Sequence, residues 1–477
     1  MTEAATLLQR LRGAWRDITV SISRNMKPDL SLRGDIDHLR EQMQSCLEAR
    51  GGEVSARSRA ATLGQTYLEL DRKGRERFLK VLAEDFGIDE EAVNRELIAL
   101  QEAKPHERAT SYADLRRSLE PGRIKLLMQF NGLPEGVKFL VDLRADLTRL
   151  TRKSAAFRSL DNDLRQLLTS WFDIGFLVLQ RIGWDSPASL LEKLIAYEAV
   201  HEIQSWDDLK NRLDSDRRCF AFFHPRMPEE PLIFVEVALV NGLAGNVQEL
   251  LDKDAPVIDP NDADTAIFYS ISNAQKGLAG ISFGGFLIKR VVDVLQREFH
   301  GLKTFSTLSP IPGFRNWLDE SLSGEEKLVS DSEISNLREA ASITEEAGNP
   351  LQVILATANW LEEKAICDVV EPVLMRLCTR YLLKEKGRGG RALDPVGHFH
   401  LTNGALVERL CWMGNATEPG MERSYGLMVN YLYRLDKIEE NHEAYTGDGK
   451  IKASTNVSRF LKTRYHSTKS ARLKHGI

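Results

Sequence analysis

Apolar residues in the first third of the chain recur every three or four positions, the spacing of one face of an α-helix. The clearest set is Leu7, Leu8, Leu11, Trp15 and Ile18. A further helix is predicted to begin at Asp89, whose side chain can cap free N–H groups ahead of Glu90 and Glu91. No strand is predicted before about residue 217. The pattern of this third therefore predicts a helical bundle with a role in packing, dimerisation or shielding.

The pattern changes after about residue 215, where β-branched and aromatic runs replace the helical spacing. Strands are predicted at 218–223, 232–240, 265–272 and 303–308. A run that is apolar almost throughout, such as 232–240, predicts a strand covered on both faces. A glycine-rich stretch, 277–285, and a helix, 286–299, separate the last two strands. The order is therefore strand, glycine loop, helix, strand.

Helical spacing returns between about residues 320 and 390, most clearly at 371–383. The tail from Gly449 onward contains basic residues and no acid: Lys450, Lys452, Arg459, Lys462, Arg464, Lys469, Arg472 and Lys474. A solvated basic end explains this tail, with contact to a phosphate or a partner as the alternative.

Composition narrows the class of protein. The 477 residues are 42% hydrophobic and 28% charged, which excludes a disordered chain. A net charge of −5 disfavours a nucleic-acid binder. The five cysteines are scattered, without a CxxC pair, and indicate a reducing compartment rather than a disulfide framework or a zinc ribbon. Because neither a long apolar run nor a signal-peptide pattern is found, we expect no membrane span and a cytoplasmic location.

The glycine-rich stretch is the first candidate site. Glycines that follow a strand and open a helix let unpaired N–H groups and the helix dipole hold a phosphate. The stretch lacks both the Gly-Lys-Ser/Thr ending of a nucleotide loop and a clean GxGxxG. A turn that merely allows close packing of strand and helix is the alternative.

Two further features carry candidate chemistry. His398 and His400 would face the same side of a strand, but no Cys or acid at ligand spacing supports a metal site. One structural and one functional histidine is the preferred interpretation. Ser309 precedes a proline and by itself indicates only a turn, since the GxSxG of a hydrolase elbow is absent.

Seven segments together resemble malonyl-CoA decarboxylase of the bacterial type: HPRMPEEPLIFVEVAL, TAIFYSIS, GGFLIKRVV, QREF, FSTLSPIPGFRNWL, HFHLTNGA and YGLMVNYLYRL. The resemblance runs from about Phe172 to Ser454, and SPIPGF followed by FHLTNGA is its most specific part. It implies an α+β protein, with a helical oligomerisation domain at 1–168 and a catalytic domain at 169–477. The catalytic domain would have a mixed sheet and the fold of the GNAT acetyltransferase superfamily.

The resemblance also implies the reaction and its residues. Malonyl-CoA would lose carbon dioxide to give acetyl-CoA. The catalytic residues would be Ser309 and His400, with Tyr433 close by. The CoA pyrophosphate loop would comprise Ala279, Gly280, Ile281, Ser282, Phe283, Gly284 and Gly285. Some relatives carry Glu where Ser282 stands, so no role for that carboxylate carries over. The chain ends in His475-Gly476-Ile477 rather than in a peroxisomal Ser-Lys-Leu signal.

The chemistry of decarboxylation is consistent with these residue types. The thioester carbonyl accepts the electron pair left by carbon dioxide, so no pyridoxal, thiamine or metal is required. His400 would protonate C2 of the enolate, a task suited to a histidine with a pKa near the working pH. Ser309 would hold the departing carboxylate or the thioester, in a loop stiffened by prolines. Tyr433 would position substrate or only pack, and Asn403 would orient His400 or cap a turn.

The alternatives belong to other classes. A CoA-dependent acyltransferase on the same fold would need a second site for an amine or hydroxyl acceptor. A non-enzymatic CoA-binding scaffold is disfavoured because Ser309 and His400 are both present. Binding of nucleic acid through the basic tail would be strongly salt-dependent and is disfavoured by the net charge. We therefore expect two partners: malonyl-CoA, and further copies of the chain in a dimer or tetramer formed through the helical domain. Neither nucleic acid nor membrane is expected.

Overall fold

The computed structural model describes residues 26–48, 52–172, 174–281, 287–324, 326–357 and 359–462, together with Gly13, Trp15 and Ile18. The helix predicted through Leu7 and Leu11, residues 282–285 of the glycine loop and the basic tail after Lys462 lie wholly or mostly outside the described residues. The fold is α+β, as predicted from the sequence. An N-terminal helical region is followed by a region built on a mixed sheet.

The N-terminal region consists of eight α-helices within the described residues. They are α1 (Arg33–Leu47), α2 (Gly52–Glu69), α3 (Arg72–Glu84), α4 (Glu90–Glu102), α5 (Arg108–Ser118), α6 (Gly122–Asn131), α7 (Gly136–Thr148) and α8 (Ala155–Trp171). Side chains cap several of these helices, because the first N–H groups of a helix have no partner within it. Asp89 accepts from the Ala92 N–H at 3.0 Å, so the predicted start of α4 is confirmed.

Eight strands form one mixed sheet. They are β1 (Val178–Ile182), β2 (Arg217–His224), β3 (Met227–Val240), β4 (Thr265–Asn273), β5 (Thr304–Thr307), β6 (Ser309–Pro310), β7 (Leu406–Cys411) and β8 (Met428–Leu432). Their order is β1-β2-β3-β4-β5-β8-β6, with β7 also paired to β8. β4 and β5 are parallel, whereas β5, β6 and β7 run antiparallel to β8.

The four strands predicted from apolar runs are confirmed as β2, β3, β4 and β5. Every residue of β2 is buried, and so is most of β3. Such burial is what a continuous apolar run predicts, because a strand covered on both faces has no solvent-facing side for polar residues. The helix predicted between the last two strands is α12 (Leu287–Glu298), whose apolar face is buried.

The other helices of this region connect or cover the strands. They are α9 (Ala188–Tyr197), α10 (Trp206–Arg212), α11 (Val247–Leu251), α13 (Phe314–Leu322), α14 (Asp331–Ala341), α15 (Pro350–Ala356), α16 (Lys364–Leu383), α17 (Pro395–Thr402), α18 (Glu418–Ser424), α19 (Ile438–Asp448) and α20 (Thr455–Arg459). None of the helices in the described part of the chain is both long and apolar enough to cross a membrane.

One prediction from periodicity was wrong. The expectation of no strand before residue 217 missed β1, which lies at the edge of the sheet and exposes three of its five residues. An edge strand with Gln180 and Arg181 lacks the apolar run by which the other strands were found. The helical segment predicted at 371–383 is confirmed, since it lies within α16, which also contains Pro372.

The chain divides into two compact units, and the domain boundary predicted after residue 168 stays a prediction. One unit contains the described residues of Met1–Val178, Phe222–Ile233 and Asn273–Phe283, and the other contains those of Leu179–Ala221, Phe234–Ser272 and Gly284–Ile477. The first unit thus includes the start of the glycine loop as well as the N-terminal helices.

Within the first unit, helix α7 holds the start of the glycine loop. Gly277 packs so closely on α7 that a Cβ atom there would lie 1.8 Å from the Val141 carbonyl oxygen. The buried guanidinium of Arg144 donates to the carbonyls of Gly277 at 2.7 Å and Ala279 at 2.9 Å. Arg144 is itself held by Asp161 at 2.9 Å. The loop is therefore anchored at its beginning by helical residues.

Candidate active site

Ser309 lies on the short strand β6, and not in the free turn that its position before a proline suggested. Its residue pair on β8 is Val429, and the pair of Pro310 is Met428. The side chain is buried, with 5% of the residue exposed. Its hydroxyl donates to Thr307 Oγ1 at 2.8 Å, and that oxygen also accepts from the Tyr431 N–H at 3.1 Å. The strand pairing and Thr307 together fix the direction of the Ser309 hydroxyl.

The prediction that His398 and His400 lie on a strand was wrong, because both belong to helix α17. Asp394 caps this helix through the Gly397 N–H at 2.8 Å, and Pro395 occupies its first turn. An Asp-Pro pair is a strong helix start, and it prevails over the short apolar pattern that follows. Residues two apart on a helix point to different sides, so the two histidines have separate surroundings.

The two histidines bond to different tyrosines. His398 Nδ1 contacts the Tyr445 hydroxyl at 2.7 Å, and Tyr445 also receives the Ala392 N–H. His400 Nδ1 contacts the Tyr433 hydroxyl at 2.7 Å, and His400 Nε2 contacts Ser309 Oγ at 3.1 Å. The structure therefore brings together Ser309, His400 and Tyr433, which the sequence placed on three separate segments.

These contacts form one chain of hydrogen bonds. Because Ser309 donates to Thr307, its oxygen is left to accept the His400 Nε2–H, and Nδ1 then accepts from Tyr433. The order of donation is thus Tyr433 to His400, His400 to Ser309, and Ser309 to Thr307. Sequence reasoning missed Thr307. The available signal was its spacing, because residues two apart on an extended chain direct their side chains to the same side.

Burial controls the protonation of His400. The residue is 3% exposed, and its ring stacks on Tyr431 with centroids 4.7 Å apart and planes at 26°. Removal from water lowers the pKa of His400 to about 3, because the charged imidazolium loses its hydration. Burial likewise raises the pKa of Tyr433 well above its usual range. At neutral pH the site therefore contains a neutral imidazole and a neutral phenol.

The remaining predicted residues are placed as follows. Asn403 donates to the Phe399 carbonyl at 2.8 Å, which is the capping alternative at the end of α17. Ala279, Gly280 and Ile281 belong to the first unit, and Gly280 has a φ of +73°, which glycine adopts without strain. Ser282, Phe283, Gly284 and Gly285 lie outside the described residues. Over the described ranges no cluster of three or more histidine, cysteine or acidic side chains could hold a metal ion.

The lowered pKa of His400 predicts an acid-sensitive contribution to stability. The folded state keeps this imidazole neutral down to about pH 3, whereas the unfolded chain takes up the proton near its ordinary pKa of about 6.5. The contribution is therefore complete above pH 6.5 and is lost as the pH falls towards 3. Between pH 7 and pH 5 the wild type should lose about 2 kcal/mol more unfolding free energy than His400→Gln. Urea denaturation at the two pH values measures this difference.

A histidine on the surface provides the control. His106→Gln removes a histidine whose side chain is 75% exposed, and the loss in His400→Gln is compared with the loss in this variant. An identical loss in the wild type and in His400→Gln would contradict the buried neutral imidazole.

Comparison with known proteins identifies the family. The family model "Malonyl-CoA decarboxylase N-terminal domain" matches residues 86–172, and "Malonyl-CoA decarboxylase C-terminal domain" matches 175–471. The mitochondrial malonyl-CoA decarboxylase of Anser anser anser is 38% identical over 85% of this chain and 84% of its own length. The mitochondrial malonyl-CoA decarboxylase of Rattus norvegicus is 36% identical over 85% of this chain and 82% of its own length.

Solved structures agree with these relatives. Malonyl-CoA decarboxylase from Rhodopseudomonas palustris is 42% identical, with a TM-score of 0.82 over 90% of this chain and 99% of that chain. Malonyl-CoA decarboxylase from Agrobacterium vitis is 40% identical, with a TM-score of 0.77 over 89% of this chain and 99% of that chain. The chain therefore belongs to the malonyl-CoA decarboxylase family.

Proposed function

We propose that this chain converts malonyl-CoA into acetyl-CoA and carbon dioxide. The observation that carries the proposal is the buried chain of hydrogen bonds through Ser309, His400 and Tyr433. Loss of carbon dioxide leaves an electron pair on C2, which the thioester carbonyl delocalises as an enolate. The protein must then orient the breaking bond and supply one proton to C2.

His400 is the proton donor in this proposal. Its pKa of about 3 means that a neutral imidazole meets the substrate, rather than a histidine with a pKa near the working pH. A malonyl carboxylate close to the ring favours the charged form and raises that pKa. His400 thus binds a proton together with the substrate. It releases the proton to C2 when the carboxylate departs as carbon dioxide.

Ser309 and Tyr433 position the reacting groups. The Ser309 proton points to Thr307 and not to His400, which suits a hydrogen-bonding role better than nucleophilic attack. When substrate binds, the Ser309 hydroxyl turns from Thr307 and donates to the malonyl carboxylate or to the thioester oxygen. Tyr433 keeps Nδ1 of His400 in place, so that Nε2 stays directed at Ser309.

The glycine loop is proposed to hold the CoA phosphates through residues 279–285. A loop of this kind between a strand and a helix presents N–H groups to an anion. The parallel strands β4 and β5, joined through this loop and α12, also support the proposed relation to the GNAT acetyltransferase superfamily. Arg144 fixes the beginning of this loop through the carbonyls of Gly277 and Ala279.

We further propose that two or more copies associate through helices α4 and α5. These helices contact each other, and neither has a buried residue. Their surfaces and flanking turns expose large apolar side chains: Ile88, Leu97, Ile98, Tyr112 and Leu119. An exposed apolar surface of this kind is typical of a protein contact. A monomeric mass of the intact chain in sedimentation would contradict this assignment.

The cytoplasmic location also stays a prediction, since the curated relatives are named as mitochondrial.

The decarboxylase proposal is tested with purified protein and malonyl-CoA, without added metal or acyl acceptor. The wild type should produce acetyl-CoA, followed by mass spectrometry. His400→Ala and Ser309→Ala should lower kcat on the order of 10²- to 10⁴-fold, as expected when a proton donor or its positioning partner is removed.

His398→Ala is the matched control for that experiment. It removes a histidine from the same helix, with an equally short bond to a tyrosine, yet outside the proposed site. Its kcat should remain close to that of the wild type. Turnover only after addition of an amine or hydroxyl acceptor would favour the acyltransferase. Full activity of His400→Ala would contradict the role of His400.

Arg144→Ala tests the anchoring of the CoA loop. The two carbonyl bonds to the guanidinium are lost, so KM for malonyl-CoA should rise about tenfold while kcat stays within about twofold. The matched control is Arg123→Ala. Buried Arg123 likewise bonds a carboxylate, Asp163, and a carbonyl, that of Ala83, but does not touch the loop. Equal KM values for the two variants would show that the loop does not depend on Arg144.

A further inference from the structure

The carboxylate of Asp394 is buried at the start of helix α17, with 1% of the residue exposed. One oxygen, Oδ1, accepts from the Gly397 N–H at 2.8 Å and caps the helix. The other, Oδ2, accepts from the Gly313 N–H at 3.4 Å and from the Tyr381 hydroxyl at 3.3 Å. The first bond belongs to ordinary helix capping, but the other two reach different segments of the chain.

These segments are the ones that carry the proposed catalytic pair. Gly313 follows Ser309 by four residues, across a turn stiffened by Pro310 and Pro312. Asp394 precedes His400 by six residues, within one continuous helical segment. A single carboxylate therefore bonds both to the segment of Ser309 and to the helix of His400.

Close packing around Asp394 leaves little freedom for either segment. A Cβ atom at Gly313 would lie 2.2 Å from the Tyr381 hydroxyl oxygen, and one at Gly397 would lie 2.9 Å from that of Tyr431. Tyr431 is the residue whose ring stacks on His400. Tyr381 packs in turn against Phe314, the first residue of α13. The two glycines thus allow a close approach that places both segments against the same carboxylate.

We propose that Asp394 is a positioning residue that sets the distance between Ser309 Oγ and His400 Nε2. This inference rests on the proposed function, in which both side chains act on the malonyl group. The bond to Gly313 fixes the end of the Ser309 segment, and the bond to Gly397 fixes the first turn of α17. Loss of the carboxylate releases both, so the pair separates while the surface that binds CoA is unchanged.

The test compares Asp394→Ala with Asp71→Ala. Asp71 caps α3 through the Gly74 N–H at 2.8 Å, the same bond from the same residue types, but it lies in the helical region. Both variants lose one helix cap. Asp394→Ala should lower kcat about 10- to 100-fold, with KM for malonyl-CoA within about twofold, because a displacement of 1 Å can cost that much. Asp71→Ala should keep the kcat of the wild type.

Asp394→Asn distinguishes the bond to Gly313 from the helix cap at Gly397. It also tests the proposal if Asp394→Ala does not fold. Asparagine retains one acceptor oxygen for Gly397 but turns an N–H₂ group towards the Gly313 N–H. It should therefore restore Tm to near the wild-type value while kcat remains reduced. Restoration of both Tm and kcat by Asp394→Asn, or an equal kcat in the two alanine variants, would overturn the proposal.

A readout independent of turnover separates this inference from the decarboxylase proposal. The ¹⁵N resonances of the His400 imidazole report its bonds to Ser309 and Tyr433. They should shift in Asp394→Ala and stay unchanged in Asp71→Ala. Unchanged resonances in both variants would overturn the positioning role. Absence of acetyl-CoA from the wild type, together with the expected shifts, would contradict the proposed function but not the role of Asp394.

Discussion

Burial of one imidazole is the constraint on which the rest of the site depends. Water cannot solvate His400, so the charged form is disfavoured and only a few polar atoms determine what the ring does. Tyr433 occupies one nitrogen and Ser309 the other. The ring acquires a proton only when a negative charge arrives beside it. In our account the substrate brings that charge and removes it again as carbon dioxide.

The surrounding fold keeps this arrangement rigid. Ser309 is fixed by pairing of β6 with β8. Tyr433 directly follows β8, and its N–H is bonded to the Phe305 carbonyl. His400 comes from a helix whose first turn is capped by a buried carboxylate. Elements distant in sequence thus converge on β8. A side chain held by strand pairing and capping loses less entropy when it binds substrate, which is the benefit of preorganisation.

Much of the sheet and the grouping of Ser309, His400 and Tyr433 could be predicted from the sequence, for different reasons. The runs at β2 and β3 are apolar throughout, and buried strands leave that mark directly. Ser309, His400 and Tyr433 were found by resemblance to a family, because a lone serine, histidine or tyrosine carries no periodic signal. Edge strand β1 was not predicted, because its exposed positions accept polar residues and so leave no continuous apolar run. The segment of His400 forms a helix and not the predicted strand, because Asp394 caps its first turn. The roles of Thr307 and Asp394 depend on contacts that residue spacing alone does not reveal.

Proton uptake on ligand binding tests the central claim most directly. A CoA thioether that ends in a carboxylate has the charge of malonyl-CoA but no thioester carbonyl, so it cannot lose carbon dioxide. Calorimetric titration at pH 7 in two buffers of different ionisation enthalpy gives the number of protons taken up. The account predicts close to one proton for the wild type and almost none for His400→Gln. Binding of the thioether to the wild type without proton uptake would contradict a histidine that is charged by its substrate.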